Sequence, residues 1–157
     1  MNAWRHWWPA VLWAGAIFLF STGYFGGDDT SQLIIPFLRW LLPGASPETL
    51  NEIHFLIRKA SHVGEYFLFS LLVLRGLRGE SSGWKWSWGV TALLIAAGYA
   101  ALDELHQSFV PGRGGAAQDV LLDSAGAVVG QLAAALQSRN SKFETRKSGT
   151  NGDSAKT

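Results

Sequence analysis

Residues 7–25 read WWPAVLWAGAIFLFSTGYF and contain no charged side chain. A helix that crosses the hydrocarbon core of a bilayer needs about 20 predominantly apolar residues, so this run is long enough to span it. Tryptophans begin the run and Tyr24 lies near its end, as expected for rings that collect at membrane interfaces. The alternative is a cleaved signal peptide that starts at Arg5, but no clear small-x-small cleavage site follows. The stretch therefore predicts a first membrane span.

Three further apolar runs follow along the chain. The Ser-Pro-Glu motif at 46–48 is a favourable helix start, because Ser can cap, Pro suits the first turn and Glu meets the positive end of the helix dipole. The helix that begins there is expected to end near Gly76 or Gly79, and its polar first half is expected to stand outside the hydrocarbon. With the first run, the sequence predicts four spans at about residues 8–25, 60–78, 86–102 and 119–136.

Two other segments do not fit a span. Residues 33–42 are apolar but too short to cross a bilayer, and they contain Pro36 and Arg39. We expect an interfacial or re-entrant piece there. After Gln137 the composition shifts to Ser, Lys, Arg, Asn, Gly and Thr, which predicts a disordered basic tail at 138–157. The predicted fold is an all-α integral membrane protein, a four-transmembrane-helix bundle formed by residues 1–137.

The distribution of charge predicts the orientation of this bundle. Cytoplasmic loops of membrane proteins carry an excess of Lys and Arg. Basic residues lie before the first span, between the second and third spans, and in the tail. With four spans these regions fall on one side, which predicts a multi-pass protein of the bacterial inner (cytoplasmic) membrane with the N-terminus and C-terminus in the cytoplasm.

Composition also excludes several classes of function. The chain of 157 residues has no cysteine, which rules out a disulfide framework and cysteine-based metal or redox chemistry. Its formal net charge of +1 argues against binding nucleic acid through bulk basicity. Membrane lipids are the expected partners, and the oligomeric state is left open.

Ionisable side chains gather where three predicted spans reach the outer face. On a helical wheel, with about 100° per residue, each group shares one face of its helix. The groups are His54, Arg58, Ser61, His62 and Glu65 in the second span, Asp103, Glu104 and Gln107 after the third, and Asp119 and Asp123 in the fourth. By charge, either His62 or Arg113 is expected to pair with Glu65, Asp103, Glu104 or Asp119. Ionisable residues at membrane depth usually face the bundle interior and mark a functional site.

The fourth span has a packing signal on the same face as its two aspartates. Gly126 and Gly130 form a small-xxx-small pair that lets helices approach closely. We interpret the pair as intramolecular packing, which turns Asp119 and Asp123 away from lipid. The alternative for the whole set of ionisable residues is that they only hold the bundle together, because structural ion pairs and binding pockets both pack inward.

Three motifs carry a resemblance to a known family. They are KASHVGEY at 59–66, DELHQSFVPGR at 103–113, and QDV at 118–120 followed by Gly126 and Gly130. In this order and spacing they resemble the VanZ-like membrane family, which is associated with resistance to glycopeptide antibiotics, chiefly teicoplanin. The resemblance implies that His62, Glu65, Asp103, Glu104, Gln107, Arg113 and Asp119 are the important residues. The family often has Asn where this chain has Asp123, so Asp123 receives the least weight.

The resemblance leaves two functional classes open. In the first, the polar cluster binds or acts on the head group of an envelope lipid, a lipid-linked cell-wall precursor or a lipoglycopeptide. Arg58, Gln107, Arg113 and Asp119 would bind the ligand, and any catalysis would use His62 as general base with Glu65, Asp103 and Glu104. In the second class, the protein is a non-catalytic accessory or structural component. The sequence does not decide whether the chain is an enzyme.

No metal or cofactor is expected. A variant of the first class would use His62 and Glu65 with Asp103, Glu104 or His106 as ligands, since imidazole and carboxylate suit zinc or iron. The spacing of His62 and Glu65 is common, however, and no H-E-x-x-H motif is present. Transport is a further alternative. With only four spans in one short chain, it would require an oligomer.

Overall fold

The computed structural model describes residues 3–22, 27–110 and 116–153, and all of its regular elements are helices. In these residues there are five helices and no strand, which confirms the all-α prediction. They are α1 Trp4–Phe20, α2 Gly27–Leu41, α3 Pro47–Arg78, α4 Trp86–Gln107 and α5 Ala117–Asp153.

Local signals at both ends explain the bounds of α3. The Ser46 hydroxyl accepts a hydrogen bond of 3.3 Å from the backbone N–H of Thr49, and Pro47 occupies the first turn. At the other end Gly79 has φ +58°, and its N–H donates to the Arg75 carbonyl at 3.1 Å. A left-handed φ favours glycine and stops the helix. The predicted start and end of this helix are therefore confirmed.

The segment around 33–42 belongs to a longer helix than its apolar letters indicate. α2 begins at Gly27 and contains Pro36. At about 1.5 Å per residue its length is roughly 23 Å, which is shorter than a bilayer core of about 30 Å. Leu38 is buried, whereas Leu33, Phe37 and Trp40 are exposed. Its placement at a membrane interface stays a prediction.

The last two helices extend beyond the predicted spans. α4 continues from residue 102 to Gln107, so Asp103, Glu104 and Gln107 lie on its final turns. α5 runs on past Gln137 to Asp153, where the composition predicts a disordered tail. The Ser141 and Thr145 hydroxyls donate to backbone carbonyls three and four residues earlier, a pattern that Ser and Thr side chains adopt on helices.

Two of the described helices are long and apolar enough to cross a membrane by length and composition, Trp86–Gln107 and Ala117–Ser141. The runs predicted to span at residues 8–25 and 60–78 do not meet the same test within the described residues. α1 has 17 residues, and α3 mixes polar with apolar positions. The number of four spans therefore stays a prediction.

The centre of the bundle is a close parallel contact between α3 and α5. A Cβ atom built on Gly126 would lie 2.4 Å from the Val63 carbonyl oxygen, and one on Gly130 would lie 2.8 Å from the Phe67 carbonyl oxygen. Around this contact the Ser70 hydroxyl donates to the Ala127 carbonyl at 3.1 Å. Small residues thus bring two backbones together, as the small-xxx-small spacing predicts.

Polar contacts join α1 to its neighbours and gather several segments at one end of the bundle. The Trp13 indole N–H donates to the Glu65 carbonyl at 3.0 Å, and the Tyr99 hydroxyl donates to the Ala14 carbonyl at 2.7 Å. At one end, called here the basic end, Arg5 lies 4.0 Å from Glu80. At the same end the backbone N–H of Trp84 donates to the Ser138 hydroxyl. The beginning of α1, the loop between α3 and α4, and residue 138 of α5 therefore lie together.

The contact between α3 and α5 leads to a test of packing. Gly126→Ala places a Cβ against a backbone carbonyl that cannot move without displacing α3, so we expect a loss of about 1–3 kcal/mol. Gly98→Ala in α4 is the matched control, because nothing lies within 4 Å of its Cβ position. Thermal unfolding of the purified proteins in detergent measures both. Equal melting temperatures for the two variants would contradict the close contact.

Candidate functional site

Polar and ionisable side chains meet at the end of the bundle opposite the basic end. They come from the end of α1, from α2, from α3, from the last turns of α4 and from the first turns of α5. Several of them are nearly or completely buried, in contrast to the usual exposure of such residues. The buried members are Ser21, His54, Asp103, Glu104, Gln107 and Asp123.

A cavity of about 220 Å³ opens among the first four helices at this end. Its apolar wall is formed by Ile17, Phe20, Ile34 and Ile57. The remaining lining is polar and comprises Ser21, Thr30, Arg58, Ser61, His62, Glu65, Asp103 and Gln107. Five of the predicted site residues therefore share one cavity, namely Arg58, His62, Glu65, Asp103 and Gln107.

Asp103 is held by two hydrogen bonds inside the cavity wall. The Ser21 hydroxyl donates to its Oδ1 at 2.5 Å, and the Gln107 amide donates to its Oδ2 at 2.9 Å. The first bond joins α1 to α4, and the second joins successive turns of α4. A buried carboxylate needs such donors, because it costs several kcal/mol to leave one without partners.

Glu104 faces the start of the last helix. Its Oε2 accepts a hydrogen bond of 2.8 Å from the backbone N–H of Ala116, which immediately precedes α5. Its Oε1 is buried and has no hydrogen-bond partner among the described residues. Glu104 therefore ties α4 to the beginning of α5 with one oxygen and keeps the other available.

Asp119 pairs with a residue that the sequence analysis did not select. Lys59 on α3 forms an ion pair and hydrogen bond with Asp119 on α5. Both side chains are partly exposed. Lys59 lies within the KASHVGEY motif, and its position one helical turn before His62 was the available signal.

His62 has a different partner from those predicted. Its Nδ1 lies 3.2 Å from Oδ1 of Asp123, the carboxylate to which the sequence analysis gave least weight. Asp123 is completely buried, and neither of its oxygens has the geometry of a hydrogen bond to a described residue. From the sequence, either His62 or Arg113 was expected to pair with Glu65, Asp103, Glu104 or Asp119. The ion pair of His62 is instead with Asp123, because the close approach at Gly126 brings Asp123 directly beside α3, and the alternative through Arg113 stays a prediction.

The same region holds a group of possible metal ligands. One ligand atom each from His62, Glu104 and Asp123 lies within 4.8 Å of the other two. This group shares His62 and Glu104 with the set considered from sequence, and it replaces Glu65 by Asp123. The His106 ring instead lies 4.8 Å from the Phe18 ring, centroid to centroid.

Arg113 and His54 are two more residues of the predicted polar set. Arg113, proposed to hold an anionic group, lies outside the described residues. His54 lies beyond the membrane part of α3 predicted from sequence, and its Nε2 is 3.3 Å from the Thr30 hydroxyl on α2. Burial and, secondarily, the nearby Arg58 lower the pKa of His54. Ser21 and Thr30 had no sequence signal, since they belong to no charged or recurrent pattern.

The bond between Ser21 and Asp103 leads to a prediction of stability. Ser21→Ala removes the donor and leaves a buried carboxylate oxygen unsatisfied, so we expect a loss of about 1–3 kcal/mol. Thr22→Val is the matched control, because the adjacent Thr22 hydroxyl donates only to the Leu19 carbonyl and is exposed. The control should change stability by less than about 0.5 kcal/mol. Chemical or thermal unfolding in detergent would contradict the prediction if both variants behaved alike.

Comparison with known proteins identifies the family of this chain. The sequence pattern that defines the VanZ/LLP1 family matches residues 7–137. No curated protein and no solved structure matches the chain. The match includes all five helices at least in part, and it covers every residue that lines the cavity. The chain therefore belongs to the VanZ/LLP1 family.

Proposed function

We propose that this VanZ-like protein crosses the bacterial cytoplasmic membrane four times, through α1, the second half of α3, α4 and α5. The exposure of α4 and α5 supports their placement in the membrane, because only 33% and 28% of their most apolar stretches are buried inside the bundle. A core helix of a soluble protein would be mostly covered. Large apolar side chains such as Leu94, Leu121 and Leu132 would face lipid.

The basic end is proposed to face the cytoplasm. The contacts of Arg5 with Glu80 and of Trp84 with Ser138 support this orientation, because they gather the basic segments that surround them. Both termini would then be cytoplasmic. The cavity at the opposite end would open at the outer leaflet, with α2 lying beside it.

The proposed function is binding of the polar head group of an envelope lipid or a lipid-linked cell-wall precursor. The observation that carries it is the mixed lining of the cavity, with an apolar wall beside a polar one. Arg58 would face the anionic part of a head group, because a guanidinium binds phosphate or carboxylate oxygens well. Asp103 and Glu65 would accept hydrogen bonds from its hydroxyl or amino groups, and the Gln107 amide would accept or donate them.

This binding would account for a link to glycopeptide resistance, chiefly to teicoplanin, as in the family. Occupying or rearranging surface-exposed precursor or lipid would alter the access of a lipoglycopeptide to its target. No reaction is assigned, because no serine of the chain lies in a recognised nucleophile motif. Under this proposal, binding without a reaction would produce the effect.

A second candidate is an accessory protein in which the polar residues only join helices. The specific observation in its favour is that four contacts link separate segments: Ser21 with Asp103, Lys59 with Asp119, His62 with Asp123, and Glu104 with Ala116. Arg58 takes part in none of these four contacts, although it lines the cavity. Arg58 therefore distinguishes the two candidates.

The test compares Arg58→Ala with Arg39→Ala in the native host. Arg39 is an exposed arginine of α2 that does not line the cavity, so its loss should leave function intact. For Arg58→Ala we expect normal membrane abundance together with at least a partial loss of the teicoplanin phenotype. Abundance that falls in step with the phenotype would favour the accessory candidate. An unchanged phenotype in Arg58→Ala would sink the proposed head-group site.

The orientation has an independent test. A reporter that is active only outside the cytoplasm should be active when fused after Gly112 and inactive when fused after Ser82. The expected contrast follows from placing the basic end in the cytoplasm. Activity at both positions, or only at Ser82, would overturn the proposed topology whatever the outcome for Arg58.

A further inference from the structure

We propose that His62, Glu104 and Asp123 form a site for one divalent transition-metal ion. The three residues come from three separate helices, α3, α4 and α5, and one ligand atom of each lies within 4.8 Å of the others. This site is separate in chemistry from the head-group cavity, although His62 borders both. Ion binding does not depend on whether the cavity takes a lipid.

Unpartnered buried oxygens point to a missing ligand at the centre of the group. Asp123 has no exposed surface, and its Oδ2 has no partner among the described residues. Its Oδ1 meets His62 Nδ1 at 3.2 Å, but without the geometry of a hydrogen bond. Glu104 is 5% exposed, and its Oε1 is likewise buried without a partner. Native structures rarely leave buried polar atoms unsatisfied, so each such atom requires an explanation. Here three of them belong to residues that converge on one place.

The charge of the group supports a divalent ion. In the form that binds a metal, with both carboxylates ionised and the imidazole neutral, the group would carry a charge of about −2, and burying unpaired charges is very costly. A divalent cation would neutralise both carboxylates and use the imidazole lone pair as well. Lys59 does not supply this charge, because it pairs with Asp119 at the partly exposed edge. No other Lys or Arg forms an ion pair with the group in the described part of the chain.

The ligand types favour zinc or a neighbouring first-row metal. One imidazole and two carboxylates suit Zn²⁺, Mn²⁺ or Fe²⁺ better than Ca²⁺ or Mg²⁺, which prefer all-oxygen sites. Bonds of about 2.0–2.2 Å place neighbouring tetrahedral ligand atoms about 3.3–3.6 Å apart. The ligand atoms now lie within 4.8 Å of one another, so side-chain movements of about 1 Å would bring them to this separation around an ion. Three protein ligands also leave a fourth position for water or another oxygen ligand.

The test uses the full-length protein, purified without an affinity tag, treated with a chelator and then dialysed against Zn²⁺ or Mn²⁺. We expect about one ion per chain by elemental analysis, together with a rise in melting temperature that depends on ion concentration. Mg²⁺ at the same concentration should give neither effect. A chain that retains no ion and shows no shift with either transition metal would overturn the proposal.

Matched substitutions locate the ion. Loss of a residue that only orients a ligand already lowers metal affinity about 10–100-fold, so losing a direct ligand should cost at least as much. Asp123→Asn and Glu104→Gln keep the side-chain size and should lower affinity by that amount. Glu65→Gln is the control, because Glu65 lines the cavity but is not in the group. Equal affinity in all three variants would place the ion elsewhere and overturn the assignment, whereas the Arg58 experiment would be unaffected.

Discussion

The backbone-to-backbone contact of α3 with α5 is the constraint on which the polar end of the molecule depends. Gly126 lies against the Val63 carbonyl, and no larger residue fits without moving a helix. Since Asp123 lies one turn before Gly126, the same contact carries its carboxylate to His62. An ordinary separation of 8–10 Å between helix axes would leave more room between these side chains. The glycines thus determine which charged groups meet.

Local chemistry made part of this fold predictable. The cap at Ser46 and the glycine end at Gly79 depend on neighbouring residues only, so α3 could be delimited from the sequence. The helical wheel also identified Arg58, His62 and Glu65 as one face, and all three line the cavity. These inferences succeed because capping and helical periodicity are properties of a single segment.

Relations between segments were the part that could not be predicted. A wheel shows that Asp119 and Asp123 share a face, but it does not give the register of α5 against α3. A shift of one turn would place either Asp123 beside Lys59 or Asp119 beside His62. Ser21 was missed for a similar reason, because its importance comes only from the Asp103 carboxylate 82 positions away. The helical course of α5 beyond Gln137 also differs from the expectation drawn from composition.

The buried carboxylates at the polar end differ in how completely they are hydrogen-bonded, which indicates that they have different roles. Asp103 has both oxygens bonded to fixed donors, so it is suited to shape the cavity and present a steady charge to whatever enters. Asp123 is buried, and neither of its oxygens accepts a well-formed hydrogen bond from a described residue. Its neighbour is the His62 imidazole, whose Nδ1 lies 3.2 Å from Oδ1. A residue that served only to join helices would gain most from well-aligned bonds, because buried polar groups stabilise a fold when they are satisfied. The incomplete pairing at Asp123 and Glu104, next to the complete pairing at Asp103, therefore argues that His62, Glu104 and Asp123 are arranged for an ion, whereas Asp103 is fixed in place as part of the cavity wall.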